Sequence, residues 1–340
     1  MADMNVVTYR PERAEYAWTF GGAAPVMKVR PGDVLELWTD DCFGGLIETV
    51  DDMPSDKITA FNPQTGPFHV EGAEPGDTLA LHFVSLEPAR DWAVSTTFPL
   101  FGSLTSTLRT VTLQDALPEI VWRYEVDRSR GTVRYQARNG DQTIDLPLEP
   151  MHGTVGLAPA GGEARSSLVP DAHGGNMDTP EMRAGTTCYL GVNVEGALFS
   201  IGDGHYRQGE GESCGVAVEG PMDTVVILDV IKGRSTPWPR LENDDYIMTA
   251  GSARPLEDAF RIAHGDLVRW LVEEYGFEKL DAYQLITQIS ETPLANVCDP
   301  NYTVTAKAPK RYLPRVDVYG GARSRLSEMA ATYRAERGGG

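Results

Sequence analysis

The pattern of hydrophobic and polar positions predicts short strands over the first two-thirds of the chain. Segments 30–38 and 74–82 each place Pro-Gly-Asp ahead of alternating apolar and polar residues, as in a strand with one buried face. Pro followed by Gly suits the centre of a type II turn, because Pro fixes φ and Gly tolerates a positive φ. Further strands are predicted at 110–113, 120–126, 131–136, 187–194, 197–201, 215–218 and 224–230.

Helical periodicity is confined to the last third of the chain. Apolar residues recur at spacings of three and four over 255–275, which predicts an amphipathic helix that Gly276 terminates. A second helix is predicted over 280–290 and a closing strand over 302–309. The tail from Gly320 is expected to contain one short helix and then to fray.

Many short strands separated by Gly and Pro are typical of a sandwich or a distorted barrel. We therefore expect a mainly β (α+β) protein, with a β-sandwich or distorted barrel in its N-terminal two-thirds. The predicted division is a β-rich domain over residues 1–250, a smaller C-terminal α/β portion over 251–320 and a tail over 321–340. Residues 160–185 are too rich in glycine for a regular element and predict a long functional loop.

Charge and composition limit the classes of partner. The 340 residues include 30 basic and 49 acidic side chains, a net charge of −19, which repels nucleic acids and anionic membranes. No run of 18 apolar residues and no signal peptide is found, and the four cysteines form no CxxC pair. We therefore expect a soluble, cytoplasmic protein with reduced thiols.

The most unusual segment is the Gly-rich, acidic stretch 202–212. Asp203 and His205 are two residues apart, so an extended chain directs both side chains to one face. A carboxylate and an imidazole flanked by glycines suit a divalent metal ion. The spacing matches neither the His-Glu-x-x-His nor the EF-hand pattern, so metal binding and turn capping both stay open. Further candidate ligands in other turn and loop segments are Asp41, Glu71, His152, His173 and Asp178.

Residues 211–215, Gly-Glu-Ser-Cys-Gly, formally fit the nucleophile motif G-x-S-x-G. That motif requires a strand, a sharp turn and then a helix. Here Gly-Val-Ala-Val-Glu-Gly follows, which alternates like a strand. The pattern therefore argues against Ser213 as a nucleophile, and Cys214 is expected to be a buried thiol.

These segments resemble the acetamidase/formamidase family. The resemblance is carried by Asn-Pro-Gln-Thr-Gly-Pro-Phe-His-Val-Glu-Gly-Ala-Glu-Pro-Gly-Asp-Thr-Leu-Ala (62–80), His-Gly-Thr-Val-Gly-Leu-Ala-Pro-Ala (152–160), Gly-Gly-Asn-Met-Asp-Thr (174–179) and Gly-Asp-Gly-His-Tyr-Arg-Gln-Gly-Glu-Gly-Glu (202–212). It implies hydrolysis of a small neutral amide, such as formamide or acetamide, to the acid and ammonia. It also implies a mainly β fold with a C-terminal α/β portion, a homo-oligomer (dimer or higher) and a divalent metal, zinc.

The resemblance also implies a set of metal ligands. Asp203 and His205 are the first of these, with Asp41, His152 and Asp178 behind them. A bound zinc ion lowers the pKa of its water from about 15.7 to about 7, which makes hydroxide available at neutral pH.

The other roles in such a reaction fall to polar groups near these ligands. Glu71 or Glu210 would shuttle the proton to the departing ammonia. Asn176 or a backbone N–H of the Gly-rich loop would hold the developing oxyanion.

Three alternatives stay open from the sequence. The first is the same reaction with Ser213 or Cys214 as nucleophile. The second is hydrolysis of a larger or cyclic amide such as a lactam, because Ile-Ser-Glu-Thr-Pro (289–293) departs from the usual pattern. The third is a non-catalytic sandwich that binds a metal or a sugar.

Overall fold

The structure, a computed structural model, describes residues 4–104 and 115–338, so the strand predicted at 110–113 lies outside the described residues. The α-helices, α1 to α4, are Pro54–Lys57, Leu256–Tyr275, Lys279–Ile289 and Ala322–Glu336. The strands, β1 to β21, are Val6–Tyr9, Thr19–Phe20, Met27–Val29, Val34–Thr39, Gln64–Val70, Thr78–Pro88, Trp92–Thr97, Ile120–Asp127, Thr132–Gln136, Thr143–Pro147, Met151–Gly156, Arg165–Ser166, Gly174–Asn176, Thr187–Gly191, Phe199–Arg207, Val218–Glu219, Met222–Ile231, Arg240–Glu242, Tyr246–Ala253, Leu294–Asn296 and Tyr302–Pro309.

Two large sheets contain most of these strands, which confirms the mainly β prediction. The first sheet has nine strands in the order β1-β4-β17-β6-β14-β18-β19-β21-β20. The second has ten, in the order β10-β9-β8-β7-β16-β15-β11-β13, with β5 and β3 attached beside β15. The nine-stranded sheet includes strands from both sides of residue 250, and β19 itself crosses the predicted domain boundary.

The main hydrophobic core lies between the two sheets. Leu35 of β4 and Leu81 of β6 pack there against side chains of the other sheet, such as Phe199 of β15. Their sequence neighbours Val34 and Ala80 point to the opposite face, as strand alternation requires. The predicted sandwich is therefore formed by the inward faces of the two sheets.

Helices cover the outer face of the nine-stranded sheet. The second core cluster contains Val34 and Ala80 together with Leu267 of α2 and Leu326 of α4. The prediction of one buried face is therefore wrong for segment 74–82, where these helices bury the second face as well and residues 78–82 are all buried. In segment 30–38 the second face is buried at Val34 but only half-buried at Glu36 and Trp38. The predicted helix 255–275 is confirmed, and Gly276 ends it with a left-handed φ of 70°.

Three further elements differ from the predictions. The strand predicted at 197–201 continues to Arg207, so residues 202–207 of the Gly-rich segment form the second half of β15 and residues 208–212 lie in the loop after it. The predicted loop 160–185 contains the short strands β12 and β13. The tail helix α4 is longer than expected, because Leu326, Ala330 and Tyr333 pack into the second core instead of fraying.

None of the described helices is long and apolar enough to cross a membrane.

Candidate active site

A buried cluster of acidic side chains forms around the second half of β15. Asp203 and His205 both lie on this strand, and each side chain is almost completely buried. Loops contribute three more buried acids: Asp178 follows β13, Glu212 follows β15 itself and Asp299 follows β20. These five residues and Glu219, at the end of β16, are called the acidic cluster below.

Strained backbone supports this cluster. Asn62, Asp178, Asp203 and Glu212 have φ values of 56°, 49°, 59° and 43°, in the left-handed region that favours glycine. Such a conformation costs a non-glycine residue about 1–3 kcal/mol and persists only where the surroundings enforce it. Strain concentrated in one place is a feature of functional sites, and here it aims side chains that a regular strand would direct elsewhere.

Hydrogen bonds fix the orientation of the His205 ring. Gln208 donates from Nε2 to the backbone oxygens of Asp178 (2.7 Å) and Ala295 (3.0 Å), so its Oε1 is left to accept. That oxygen lies 2.9 Å from His205 Nδ1, which therefore carries the proton in the neutral ring. His205 Nε2 faces two carboxylates, 3.2 Å from Asp203 Oδ1 and 3.2 Å from Glu219 Oε1. A lone pair facing two carboxylates requires a proton or a metal cation between them.

A network of amides and a hydroxyl holds the rim of the cluster. Asn62 donates from Nδ2 to Asp203 Oδ2 (3.0 Å) and to Asn176 Oδ1 (2.8 Å). Thr154 donates to the same Asp203 oxygen at 3.0 Å. Asn176 donates from Nδ2 to Asp299 Oδ2 at 2.8 Å. One N–H of the Asn176 amide is therefore used by a carboxylate, while its Oδ1 accepts from Asn62.

The electrostatics of the cluster show an excess of buried acid. Burial and then the charge of Glu212 raise the pKa of Asp178 and of Asp299 well above the usual range. Burial raises the pKa of Glu219 strongly, and it raises the pKa of Glu212 to about 7 even though His205 opposes this. Burial opposes charge on His205, but the carboxylates of Glu219 and Asp203 raise its pKa well above the ordinary value.

The donor set and its unpaired atoms fit a divalent cation. Both carboxylate oxygens of Asp178 are buried without a hydrogen-bond partner, and Oδ1 of Asp203 is buried with Nε2 of His205 beside it at 3.2 Å. Two sets of ligand atoms each lie within 4.8 Å of one another: Asp178, His205 and Glu212 form one, and Cys42, Asp203 and Glu219 form the other. Carboxylate, imidazole and thiolate are the groups that bind zinc in proteins.

Gly153 of β11 forms the backbone floor of the cluster. A Cβ at this residue would lie 2.5 Å from Asp178 Oδ1 and 2.7 Å from His205 Cε1, and closer still to Asp203 Oδ2. Only glycine leaves room for these three side chains to meet.

A cavity of about 260 Å³ opens above the cluster. Its polar floor includes Asp203, His205, Glu212, Glu219 and Asp299. Its wall is apolar, and the side chains that form it are Phe61, Phe98, Pro99, Phe101, Leu168 and Val216. The cavity therefore combines acid–base groups at one end with a water-excluding surface at the other.

Two predicted metal ligands lie close to the cluster but have other partners. Asp41 accepts hydrogen bonds from the backbone of Phe43 (3.0 Å) and Gly45 (2.9 Å), and forms an ion pair with Arg90 at 2.8 Å. His152 uses both ring nitrogens, because Nδ1 lies 2.9 Å from the oxygen of Gly202 and Nε2 lies 2.8 Å from Thr224 Oγ1. Burial lowers the pKa of His152 to about 4, so the ring is neutral.

The predicted proton shuttles lie outside the cavity. Glu71 is exposed in the turn after β5, and Glu210 is exposed in the loop after β15. Neither is among the residues that line the cavity. His173 is buried against Phe20 rather than in the cluster.

Four of the predicted site residues are brought together: Asp178, Asp203, His205 and Asn176. Sequence reasoning did not select the others: Asn62, Thr154, Glu212, Glu219 and Asp299. Asn62, Thr154 and Glu212 lie inside the segments that resemble the family, so the resemblance pointed to their segments but not to these individual residues. Glu219 and Asp299 lie outside those segments, and the strand-like and turn-like residues before them do not indicate a functional site.

The G-x-S-x-G segment does not form a nucleophile elbow. Gly215 has a left-handed φ of 88°, and the short strand β16 follows instead of a helix. The strand predicted at 215–218 is therefore reduced to Val218–Glu219. Ser213 and Cys214 are exposed, which corrects the expectation of a buried thiol at Cys214.

Comparison with known proteins gives consistent matches over most of the chain. The profile of the acetamidase/formamidase family matches residues 20–161 and 133–313. The chain is similar to the crystal structure of an acetamidase from Yersinia enterocolitica, with 40% identity and a TM-score of 0.86 over 92% of this chain and 94% of that chain. It is also similar to an acetamidase structure from Bacillus halodurans, with 27% identity and a TM-score of 0.78 over 90% and 98% of the two chains. An acetamidase from Mycolicibacterium smegmatis is 26% identical over an alignment of 290 residues, with coverage of 67% of this chain and 68% of that protein.

Proposed function

This chain belongs to the acetamidase/formamidase family and is an amidohydrolase of linear amides, and we propose that the acidic cluster is its catalytic centre. The proposed reaction converts a short-chain amide of the formamide or acetamide type to the carboxylic acid and ammonia. One observation carries this assignment: His205 Nε2 faces Asp203 and Glu219 at the floor of a cavity whose only strongly polar surface, among the described lining residues, is that floor.

The charge of the cluster supports a bound divalent cation, for which zinc is our proposal. Among the described residues that line the cavity, none is Lys or Arg, so His205 is the one side chain there that can offset the carboxylates by carrying a proton. Each unpaired buried ion costs several kcal/mol, which protons or a metal must compensate. Asp178, Asp203, His205 and Glu219 would hold the ion. It would supply a water of lowered pKa and would polarise the amide carbonyl.

Proton transfer falls to Glu212 in this proposal. Glu212 lines the cavity, lies on the loop after β15 and accepts a 3.6 Å contact from the Cys298 thiol. A carboxyl group in this position can take a proton from the attacking water and give it to the departing nitrogen. This replaces Glu71 and Glu210, whose exposed positions leave them out of reach of a substrate in the cavity.

Positioning of the ring belongs to Gln208. It holds His205 Nδ1–H, so that Nε2 keeps its lone pair toward the floor of the cavity. Asn176 positions Asp299 through one of its two N–H donors, and the second N–H of the same amide stays our candidate for the oxyanion role.

The first experiment measures bound metal and activity together. Purified protein is analysed for metal content, and ammonia release is followed with formamide, acetamide and a γ-lactam before and after chelation. We expect about one or more zinc ions per chain and loss of acetamide hydrolysis on chelation. Activity that survives complete metal removal would refute the metal role but leave the amidase assignment in place. A γ-lactam hydrolysed faster than acetamide would instead identify a cyclic-amide hydrolase.

The second experiment compares two glutamates on the same loop. Glu212→Gln should lower kcat on acetamide by about 100-fold or more, because general acid–base catalysis contributes roughly 10²–10⁴-fold. Glu210→Gln, an exposed matched control, should stay within twofold of the unmodified enzyme. Ser213→Ala and Cys214→Ala should also retain full activity. Loss of activity in either of them would favour the nucleophile mechanism.

A further inference from the structure

We propose that the apolar half of the cavity is a subsite for a bulky, uncharged acyl group, so that an arylacetamide is a better substrate than formamide or acetamide. This inference rests on the proposed amidase function and extends its substrates from short-chain amides to amides with a larger acyl group. Its basis is the size, the chemistry and the polarity gradient of the cavity above the acidic cluster.

The size of the cavity exceeds the needs of the smallest amides. A water molecule occupies about 30 Å³ of liquid, so the four non-hydrogen atoms of acetamide need at most about 120 Å³. The cavity holds about 260 Å³, more than twice that volume. Formamide or acetamide would therefore leave the apolar half of the cavity to water, which gains little from an apolar wall.

The chemistry of the wall suits an aromatic ring. Phe61 and Phe98 meet edge to face, with ring centroids 5.4 Å apart at 89°. Phe98 meets Phe101 in the same way, at 6.3 Å and 82°. Leu168 and Val216 complete the surface. A third ring placed among such pairs gains both apolar burial and favourable edge-to-face contacts.

The polarity of the floor decides which end of the amide points inward. Glu212, Glu219 and Asp299 line the floor, and each carboxyl group keeps at least one oxygen that accepts hydrogen bonds, whether it is ionised or protonated. The –NH2 group of a primary amide supplies two donors to such a floor, whereas a secondary amide would place hydrocarbon against carboxylates. The bulky substituent therefore belongs on the acyl carbon, directed toward Phe61 and Phe98.

The charge of the site restricts the acyl group further. The floor is acidic, and no Lys or Arg is found among the described lining residues. An acyl group that carries its own carboxylate would be repelled and would lose its solvation without a partner. The substrate class is therefore a neutral arylacetamide or an amide of similar shape, for which 2-phenylacetamide is the probe.

The test compares kcat/KM for formamide, acetamide, 2-phenylacetamide and N-benzylacetamide on the purified holoenzyme. One methylene in an apolar pocket changes kcat/KM by about 10-fold or more, so 2-phenylacetamide should exceed acetamide by at least about tenfold. If acetamide is hydrolysed faster than 2-phenylacetamide, the subsite is refuted and the amidase assignment stands. If N-benzylacetamide is the best substrate, the acyl orientation is wrong. If no amide is hydrolysed, the proposed function itself fails.

Variants of the wall residues test whether the apolar wall causes the preference for 2-phenylacetamide. Phe61→Ala should lower the ratio of kcat/KM for 2-phenylacetamide to that for acetamide by about tenfold. Phe260→Ala, which removes a ring from the partly exposed surface of α2, is the matched control and should leave the ratio unchanged. If Phe61→Ala does not fold, Leu168→Ala tests the same wall and should lower the ratio of kcat/KM values by a smaller factor. An unchanged ratio in the folded wall variants would overturn the proposal.

Discussion

Substitution of Gly153 by alanine tests whether the three side chains around it must meet for catalysis. Its φ is outside the left-handed region, so Gly153→Ala introduces a methyl group without backbone strain. That methyl would lie 2.5 Å from Asp178 Oδ1 and 2.7 Å from His205 Cε1, whereas ordinary contacts begin at 3.4 Å. These atoms must therefore retreat by about 0.9 Å and 0.7 Å, and overpacking of this kind costs roughly 1–3 kcal/mol.

The effect on activity should be larger than the effect on stability. A misplacement of about 1 Å in an active site can lower the rate by about 100-fold, which corresponds to roughly 2.7 kcal/mol of the activation barrier. The assay measures kcat/KM on acetamide, bound metal and the free energy of unfolding. Gly265→Ala, at an open position inside α2, is the control and should raise stability by about 0.5–1 kcal/mol. If Gly153→Ala keeps kcat/KM within threefold, the side chains need not meet as described.

Three further predictions concern other parts of the structure. Gln208→Met should lower metal affinity or kcat by about 10- to 100-fold, because the orientation of His205 is lost, and metal titration with acetamide kinetics would reveal it. Burial and then the charge of Arg323 lower the pKa of His82 to about 4. Below pH 6.5 the unfolded chain therefore binds a proton that the folded chain does not, and stability falls as the pH drops from 6.5 to 4, by about 3 kcal/mol for this group. Urea unfolding at pH 7 and pH 4.5 should show a smaller acid loss in His82→Phe, and an equal loss would contradict this. The buried Arg240 guanidinium binds both carboxylate oxygens of Asp266, at 2.8 Å and 3.0 Å, so Arg240→Met should cost about 3–5 kcal/mol in urea unfolding, with much of it recovered in the double variant with Asp266→Leu.

The homo-oligomer expected from the sequence stays a prediction. Large apolar side chains are exposed along α2 and α3, among them Phe260 at 46%, Leu280 at 69% and Tyr283 at 61%. Light scattering on the purified protein would give the number of subunits.

Local sequence patterns were sufficient to predict some elements of the fold. Helix α2 was predictable because its apolar spacing and Gly276 both act within the helix, and β21 because its alternation is continuous. The pairing of Asp203 with His205 was predicted from their spacing of two residues, but the left-handed φ of 59° at Asp203 departs from the regular strand on which that prediction rests. The contact therefore also depends on the tertiary surroundings that enforce this φ.

Which distant side chains join Asp203 and His205 depends on the tertiary structure. Glu219 at the end of β16 and Asp299 in the loop after β20 reach the acidic cluster because of how the two sheets stack, and no local sequence pattern specifies that arrangement. Conversely, His152 carries a promising motif, but strand pairing places both of its ring nitrogens against hydrogen-bond partners. A local sequence pattern can specify a strand or a helix, because the residues that favour such an element lie close together in the sequence. Which side chains meet depends on contacts between residues far apart in the sequence.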